Sequence, residues 1–226
     1  MKDRVVALAV TRMLSGMCTA GISLGTGIWV RPVKEFGTLT LGDLTYADRT
    51  VIRPFDVVEY SLIRHRPLPP HIEDWTCDFV HSRPVCVRRL EGDERAAFLR
   101  KSVEPDASAQ FARFERSLAL IGPALPTATF VLDPYSGRFD ARLAAPEMGD
   151  RPIPVTDIKW RALGRKLVGG GGTVRLLPGE LQAKLGLNET YVALGLSRTH
   201  EGKHWTLVVG VHTLPDYEAV VDYRAL

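Results

Sequence analysis

Hydrophobic residues along this chain fall mostly in short runs rich in β-branched side chains, separated by glycine and proline. The run 5–10 (VVALAV) predicts a buried strand. Runs 18–23 and 28–33 flank Leu-Gly-Thr-Gly, whose glycines favour a tight reversal, so we predict a hairpin. In 55–63 (FDVVEYSLI) the pattern alternates well enough to predict a further strand.

The rest of the chain continues in short segments. Two helical patterns are predicted at 92–103 and 108–118; the second places Phe111, Phe114 and Leu118 on one face. Further predicted strands are 118–121, 127–132, 138–144, 155–160, 173–177, 190–197 and 205–213, with a short helix at 178–185. Strands at short spacing with turn signals between them favour small barrels over parallel βαβ units.

Composition and charge narrow the function only slightly. The chain has 226 residues, of which 45% are hydrophobic and 24% charged, and a formal net charge of +3. This length allows one large domain or two small ones. The positive charge is concentrated in residues 1–34 and 150–175, whereas residues 35–80 are net acidic. If the two basic segments converge in space, they form an anion-attracting patch; if they do not, they are ordinary solvated surface.

The three cysteines and the N-terminus bear on the cellular compartment. Cys18, Cys77 and Cys86 are widely spaced and contain no C-x-x-C pair, which argues against a disulfide framework and a zinc knuckle. The N-terminal apolar run is too short for a signal peptide, and no run of about 18 apolar residues occurs. We therefore expect a soluble, cytoplasmic protein without membrane association.

The strongest candidate for ligand chemistry is the segment VTRMLSGMCTAGISLGTGIWVRPV. Trp29 and Arg31 stand two apart, so on a strand they share a face, where an indole can stack on a base and a guanidinium can contact a phosphate. We predict that this pair projects from an open barrel flank. Arg12 is a second candidate phosphate contact. Arg12 and Cys18 lie on either side of a small-residue loop whose glycine permits close approach by a ligand. The alternative is a half-buried Trp with its Arg reaching water.

A second basic segment is predicted to extend this surface and to form a shared cationic trough with it. Its candidate ligand-binding residues are Lys159, Trp160, Arg161, Arg165 and Lys166. Electrostatic binding of this kind weakens steeply as salt concentration rises.

Two catalytic alternatives remain open. Cys18 has basic neighbours in the sequence but no identifiable His partner, and a small buried hydrophobe is the commoner role of a free Cys. His200 and His204 match H-E-x-x-H literally, with His212 as the nearby third ligand, but the flanks are strand-like rather than helical. We assign no catalytic residue, no metal site and no cofactor, and leave enzymatic activity undecided, leaning against it.

Three stretches resemble the family of bacterial dual OB domain-containing proteins. In residues 11–33 (TRMLSGMCTAGISLGTGIWVRPV), the matching positions are Gly16, Cys18, Ala20, Gly21, Trp29, Val30, Arg31 and Pro32. The stretch FDVVEYSLIRHRPLPPHIEDWTCD is similar to the family's strand, proline break and N-W segment, with Asp74 in place of Asn. The stretch YVALGLSRTHEGKHWTLVVGVH resembles its closing hairpin, although Ser197-Arg198 replaces Glu-Pro and Thr206 stands where Lys is expected. Residues 89–170 are not covered by the resemblance.

The resemblance implies two OB folds, nucleotide or oligonucleotide binding, and membership for some relatives in bacterial conflict and defence loci. We therefore predict a mainly β protein with a few short helices and two OB-like, small Greek-key barrels. The expected division is an N-terminal barrel at 1–88, a helical connector at 89–118 and a C-terminal barrel at 119–226. The leading function is non-catalytic binding of single-stranded RNA or DNA or of a nucleotide. The alternatives are an enzyme acting on such ligands through Cys18 or His200/His204, and a protein-interaction subunit.

Overall fold

The computed structural model describes residues 1–13, 16–149, 151–199 and 201–223, apart from the side chain of Ser108. The chain forms two compact units, Met1–Ala119 and Leu120–Leu226. No helix in the described ranges combines the length and the apolar character needed to cross a membrane.

The first unit is a barrel with two helices that follow it in the chain. Its elements are β1 (Lys2–Met13), β2 (Gly16–Ser23), β3 (Trp29–Val33), β4 (Asp56–His65), β5 (Asp74–Cys77), β6 (Val85–Arg89), α1 (Gly92–Ser102) and α2 (Ala107–Ala112). A short 3-10 turn, Leu41–Leu44, lies between β3 and β4. The helices α1 and α2 both fall within this unit.

Strand pairing closes the first five strands into a barrel. The order is β1-β2-β3-β5-β4, and β1 pairs with β4 as well as with β2. The pair β3–β5 is parallel, whereas β1–β2, β2–β3, β4–β5 and β1–β4 are antiparallel. The sixth strand, β6, pairs with β4 beyond the closed ring. A five-stranded barrel with this order is an OB fold, and the predicted hairpin of β2 and β3 is confirmed.

The second unit repeats this strand order with interruptions. Its elements are β7 (Leu118–Ile121), β8 (Thr127–Leu132), β9 (Phe139–Ala144), β10 (Ile153–Pro154), α3 (Ile158–Val168), β11 (Gly172–Leu176), α4 (Pro178–Leu185), β12 (Glu189–Leu196) and β13 (Thr206–Leu214). They form the sheets β10-β9-β8-β11 and β13-β12-β7. A parallel bridge joins Val155, just after β10, to Val208 of β13.

Taking β7 and β8 as one interrupted first strand gives the OB order again. The β8 part of that strand pairs with β9, and the β7 part pairs with β12. The third strand, β10, again lies parallel to the fifth strand, β13, as the bridge after β10 shows. The predicted class, a mainly β protein with OB-like barrels, is therefore confirmed. The strands β5 and β6 were not among the predicted elements.

The predicted strand at 155–160 is wrong, because α3 begins at Ile158. The carboxylate of Asp157 accepts the backbone N–H groups of Lys159 at 2.8 Å and Trp160 at 3.2 Å, which caps the helix. Its other oxygen accepts the N–H of Val211 in β13 at 2.8 Å. One buried carboxylate thus starts the helix and attaches it to the barrel.

The predicted helix at 108–118 is also too long, since α2 ends at Ala112. Phe111 is buried, but Phe114 adopts a φ of 54° and is 50% exposed, so the predicted apolar face does not form. From Leu118 the chain is already β7.

Candidate nucleic-acid interface

The strand register of the first unit decides which way Trp29 and Arg31 face. Arg4 pairs with Glu59 in an exposed ion pair, which marks the outer side of the barrel. Val6 lies on the same side as Arg4, because alternate residues of a strand share a face. Val6 pairs with Ile22 of β2, and Ile22 pairs with Trp29 of β3, so all three side chains lie on that side. Trp29 therefore lies on the outer face of the barrel, and Arg31, two residues further on, lies there too.

The prediction that this pair projects from an open flank is wrong nonetheless. Trp29 is 3% exposed and Arg31 7% exposed. The indole Nε1 donates to Glu104 at 2.8 Å, in the segment that follows α1, and Arg31 Nε donates to Asp74 Oδ1 at 2.6 Å. Both groups lie on the outer face, but both are buried, the indole bonded to the segment that follows α1 and the guanidinium to β5.

The neighbouring candidates Arg12 and Cys18 differ in exposure. Arg12 is exposed near the end of β1, opposite Met17. Cys18 is half-buried, and its thiol is directed at the carbonyl oxygen of Thr19 at 3.9 Å. The contribution of either residue to ligand binding stays a prediction.

Three of the candidates on α3 are engaged within the second unit. Trp160 is fully buried, with its ring 5.8 Å from Phe130 and 5.3 Å from Tyr217 between centroids, so it offers no surface to a base. Lys159 Nζ donates to both carboxylate oxygens of Asp216 at 2.8 Å. Arg161 donates to the main-chain carbonyl oxygens of residues 155 and 139.

The other two candidates on α3 are exposed, and their contribution to ligand binding stays a prediction. Arg165 and Lys166 are exposed in the last turn of the helix. The guanidinium of Arg165 lies 4.5 Å from the centroid of the Phe139 ring, which holds it in place. Within the described part of the chain, neither residue has a carboxylate partner.

The turn between β8 and β9 presents an exposed aromatic ring. Tyr135 is 98% exposed at its tip. Asp133 accepts hydrogen bonds from the hydroxyl of Ser136 at 2.6 Å and from the N–H of Tyr135 at 2.9 Å. Both bonds lower the pKa of Asp133, and the bond from Ser136 has the larger effect. The ring is therefore presented from a turn that is fixed by hydrogen bonds. Arg138 closes the turn, exposed and without a carboxylate partner among the described residues.

This turn lies next to the C-terminal end of α3. A Cβ added to Gly171, just beyond the helix, would lie 2.8 Å from the side chain of Pro134, so the backbone after α3 lies against the turn there. Arg165 stacks on Phe139, the neighbour of Arg138. We call the resulting group the α3–turn surface; its members are Tyr135, Arg138, Arg165 and Lys166.

The hairpin between β12 and β13 presents a second exposed aromatic ring. Trp205 is 54% exposed, and its backbone N–H donates to Ser197 Oγ at 2.9 Å. Ser197 N–H donates in turn to the Trp205 carbonyl at 2.9 Å. Lys203 is exposed nearby, with no carboxylate partner in the described ranges. Turns β8–β9 and β12–β13 are the first-to-second and fourth-to-fifth loops of the OB order, the loops that bind oligonucleotides in this fold.

The same hairpin contains the histidines of the metal hypothesis. His204 Nδ1 lies 2.7 Å from the Ser197 carbonyl oxygen and Nε2 lies 3.3 Å from Thr199 Oγ1, so both ring nitrogens face groups of the hairpin. His200 lies outside the described residues, and His212 is buried in β13. Within the described residues, no group of three or more His, Cys, Asp or Glu side chains could hold a metal ion.

Sequence reasoning missed Tyr135, Arg138, Lys203 and Trp205. The segment Asp-Pro-Tyr-Ser-Gly carries a usable signal, because a turn sequence with an aromatic residue at its centre places that ring in solvent. For Trp205 the corresponding signal is its position beside the Glu-Gly turn.

Two barrels with this strand order, one of them with exposed aromatic rings on its first-to-second and fourth-to-fifth loops, define a protein of the OB class. OB folds are nucleic-acid- and oligomer-binding folds. The sequence profile described as the dual OB-containing domain matches residues 3–211, and the chain belongs to this family. No curated protein and no solved structure matches the chain.

Proposed function

We propose that this protein binds single-stranded nucleic acid, without catalysis, through its second unit. The observation that carries the proposal is the exposure of Tyr135 and Trp205 on the two turns that correspond to the ligand loops of an OB barrel. Exposed aromatic rings accept stacked bases, a contact worth about 1–3 kcal/mol per base.

The cations beside these rings supply the second half of such a site. Arg138 lies three residues after Tyr135 on the same turn, Arg165 and Lys166 lie at the end of α3 next to that turn, and Lys203 lies two residues before Trp205. A guanidinium or ammonium group without an internal carboxylate partner is free to pair with a phosphate. Two separate rings, each with its own cations, favour a polymer over a single nucleotide.

The proposal is tested by fluorescence anisotropy with labelled 20-nucleotide dT and U oligomers at low salt. Tyr135→Ala and Trp205→Ala each weaken binding about tenfold, because each removes one stacking platform. Phe36→Ala is the matched control: its ring is 87% exposed, but it lies on the first unit, and its loss leaves affinity unchanged.

The cationic part is tested by the salt dependence of the same binding. The triple variant Arg138→Ala, Arg165→Ala, Lys166→Ala lowers the slope of log K against log salt by about 2–3, since each phosphate contact contributes about one ion. Binding of a mononucleotide as tight as that of the 20-mer, or an affinity indifferent to both rings, would contradict the proposal.

A further inference from the structure

On the outer face of the first unit, two buried polar atoms have no hydrogen-bond partner among the described residues. Arg31 is buried, and its Nη2 makes no hydrogen bond to any described residue. Thr76 Oγ1 is likewise buried and without a partner in the described part of the chain. Thr76 and Asp74 alternate on β5, and Asp74 lies beside Arg31, so the two groups share one face.

Unpaired buried donors are rare in folded proteins because they lose their water contacts without replacement. A guanidinium with one arm on Asp74 and a second arm unused is suited to an anion that approaches from outside the barrel. Trp29, on the same face, supplies an aromatic surface beside it. The chemistry is that of a base and a phosphate.

A segment of the same unit is hydrogen-bonded near both of its ends to residues next to Arg31 and Asp74. We call residues 103–117, between α1 and β7, the cover segment. At one end its Glu104 accepts the indole N–H of Trp29 and pairs with Arg116. At the other end Ser117 donates its N–H and hydroxyl to Glu73, at 2.7 and 2.9 Å.

Arg31 lies between these two attachments. Trp29 precedes it by two residues on β3, and the Arg31 N–H donates to the carbonyl of Glu73 at 2.8 Å. Of the described side chains between Glu104 and Ser117, only Ala107 and Phe111 are buried. A segment held by terminal polar contacts and little apolar burial opens more readily than the barrel beneath it.

We infer that the first unit carries a latent nucleic-acid-binding face, formed by Trp29, Arg31 and Thr76. The cover segment occludes this face, and its Glu104 carboxylate takes the place of a ligand anion. Opening of the segment exposes the indole and leaves the Nη2 of Arg31 to a phosphate. The ligand class rests on the proposed function; the latent face itself rests on the first unit alone.

The test uses the full chain with the second-unit rings removed (Tyr135→Ala, Trp205→Ala). In that background Glu104→Lys places a cation against Arg116 and detaches the cover segment. Glu115→Lys is the matched control, because it makes the same charge change on the same segment but breaks the exposed pair with Arg113 and leaves the Glu104 contact with Trp29 in place. We expect Glu104→Lys to bind the labelled dT or U 20-mer at least tenfold more tightly than Glu115→Lys.

A second variant assigns the gain to the latent face. Arg31→Lys keeps a positive charge beside Asp74 but lacks Nη2, and it abolishes most of the gain when it is added to Glu104→Lys. Amide hydrogen exchange of residues 104–117 shows whether the segment has opened. If these amides exchange faster and affinity still equals that of Glu115→Lys, the face does not bind nucleic acid; if they stay protected, the segment is not a releasable cover. Either result overturns the inference.

The failure of this inference is distinguishable from failure of the proposed function. Tyr135→Ala and Trp205→Ala alone test the second unit in the otherwise native chain. A native chain that does not bind, together with a Glu104→Lys chain that binds through Arg31, refutes the proposed site and leaves the latent face standing.

Discussion

The two units present aromatic rings and cations in opposite ways. In the first unit, Trp29 and Arg31 share the outer face of a closed barrel, yet both are buried, and the indole is hydrogen-bonded to the segment that follows α1. In the second unit, Tyr135 and Trp205 stand on turns, where the chain is already in solvent. The pairing of residue types on a strand therefore does not make a binding site, because what packs over the strand decides whether a ligand can reach it.

The largest expected effect separates the two tryptophans of the second unit. Trp160→Ala lowers the free energy of unfolding by about 3–5 kcal/mol, because it leaves a cavity beside Phe130 and Tyr217. Trp205→Ala changes it by less than about 0.5 kcal/mol, since the ring is exposed. Urea unfolding of both variants measures the difference; equal losses would show that the exposed ring is structural as well.

Next in size is the buried ion pair of the first unit. Asp74→Ala leaves the Arg31 guanidinium buried without its carboxylate and costs about 3 kcal/mol. Hydrogen exchange locates the loss in the first unit, with β3 and β5 losing protection and β12 and β13 keeping theirs. Equal loss of protection in both units would mean that the units do not unfold independently.

A smaller effect depends on pH and belongs to the second unit. Burial raises the pKa of Asp157 to about 6. The hydrogen bonds from the backbone N–H groups of Val211 and Trp160 lower the pKa, but their effect is smaller than that of burial. Because this pKa is raised on folding, the stability linked to the group is present below the unfolded pKa of about 4 and is lost as pH rises through 6. When the pH is lowered from 7 to 5, the free energy of unfolding of the native protein rises by about 1 kcal/mol relative to that of Asp157→Asn.

Thermal unfolding of the two chains across pH 5–7 measures this difference, and Asn at that position still caps α3. Since other carboxylates titrate identically in both chains, they cancel in the comparison. A difference between the chains that is constant with pH would contradict the raised pKa.

The smallest expected effect is at the surface of α3. Lys159→Ala breaks the ion pair with Asp216, whose side chain is 44% exposed, and costs under about 1 kcal/mol. Together with Asp74→Ala, this variant distinguishes a solvated ion pair in the second unit from a buried ion pair in the first. Chemical denaturation in low and high salt checks it, with the cost shrinking as salt screens the pair.

Local sequence signals predicted much of the fold. Apolar runs with β-branched residues predicted the β2–β3 hairpin and the strands at 127–132 and 190–197, which the pairing registers confirm as β8 and β12. The same signals failed at α3, since Ile158 and Trp160 are typical strand residues and only the Asp157 cap, attached to β13, favours the helix. Part of the candidate site, Arg165 and Lys166, was predicted from charge alone.

Residue patterns alone were enough to establish that the chain is mainly β, that its family is that of dual OB domains, and that basic and aromatic residues occur together near residues 29–31 and 159–166. Which of these residues face solvent follows only from how the chain packs. Strand periodicity fixes the side of a barrel on which a residue lies, but burial depends on a segment more than 70 residues away in the case of Trp29 and Glu104. That contact is non-local, and no pattern of neighbouring residues encodes it.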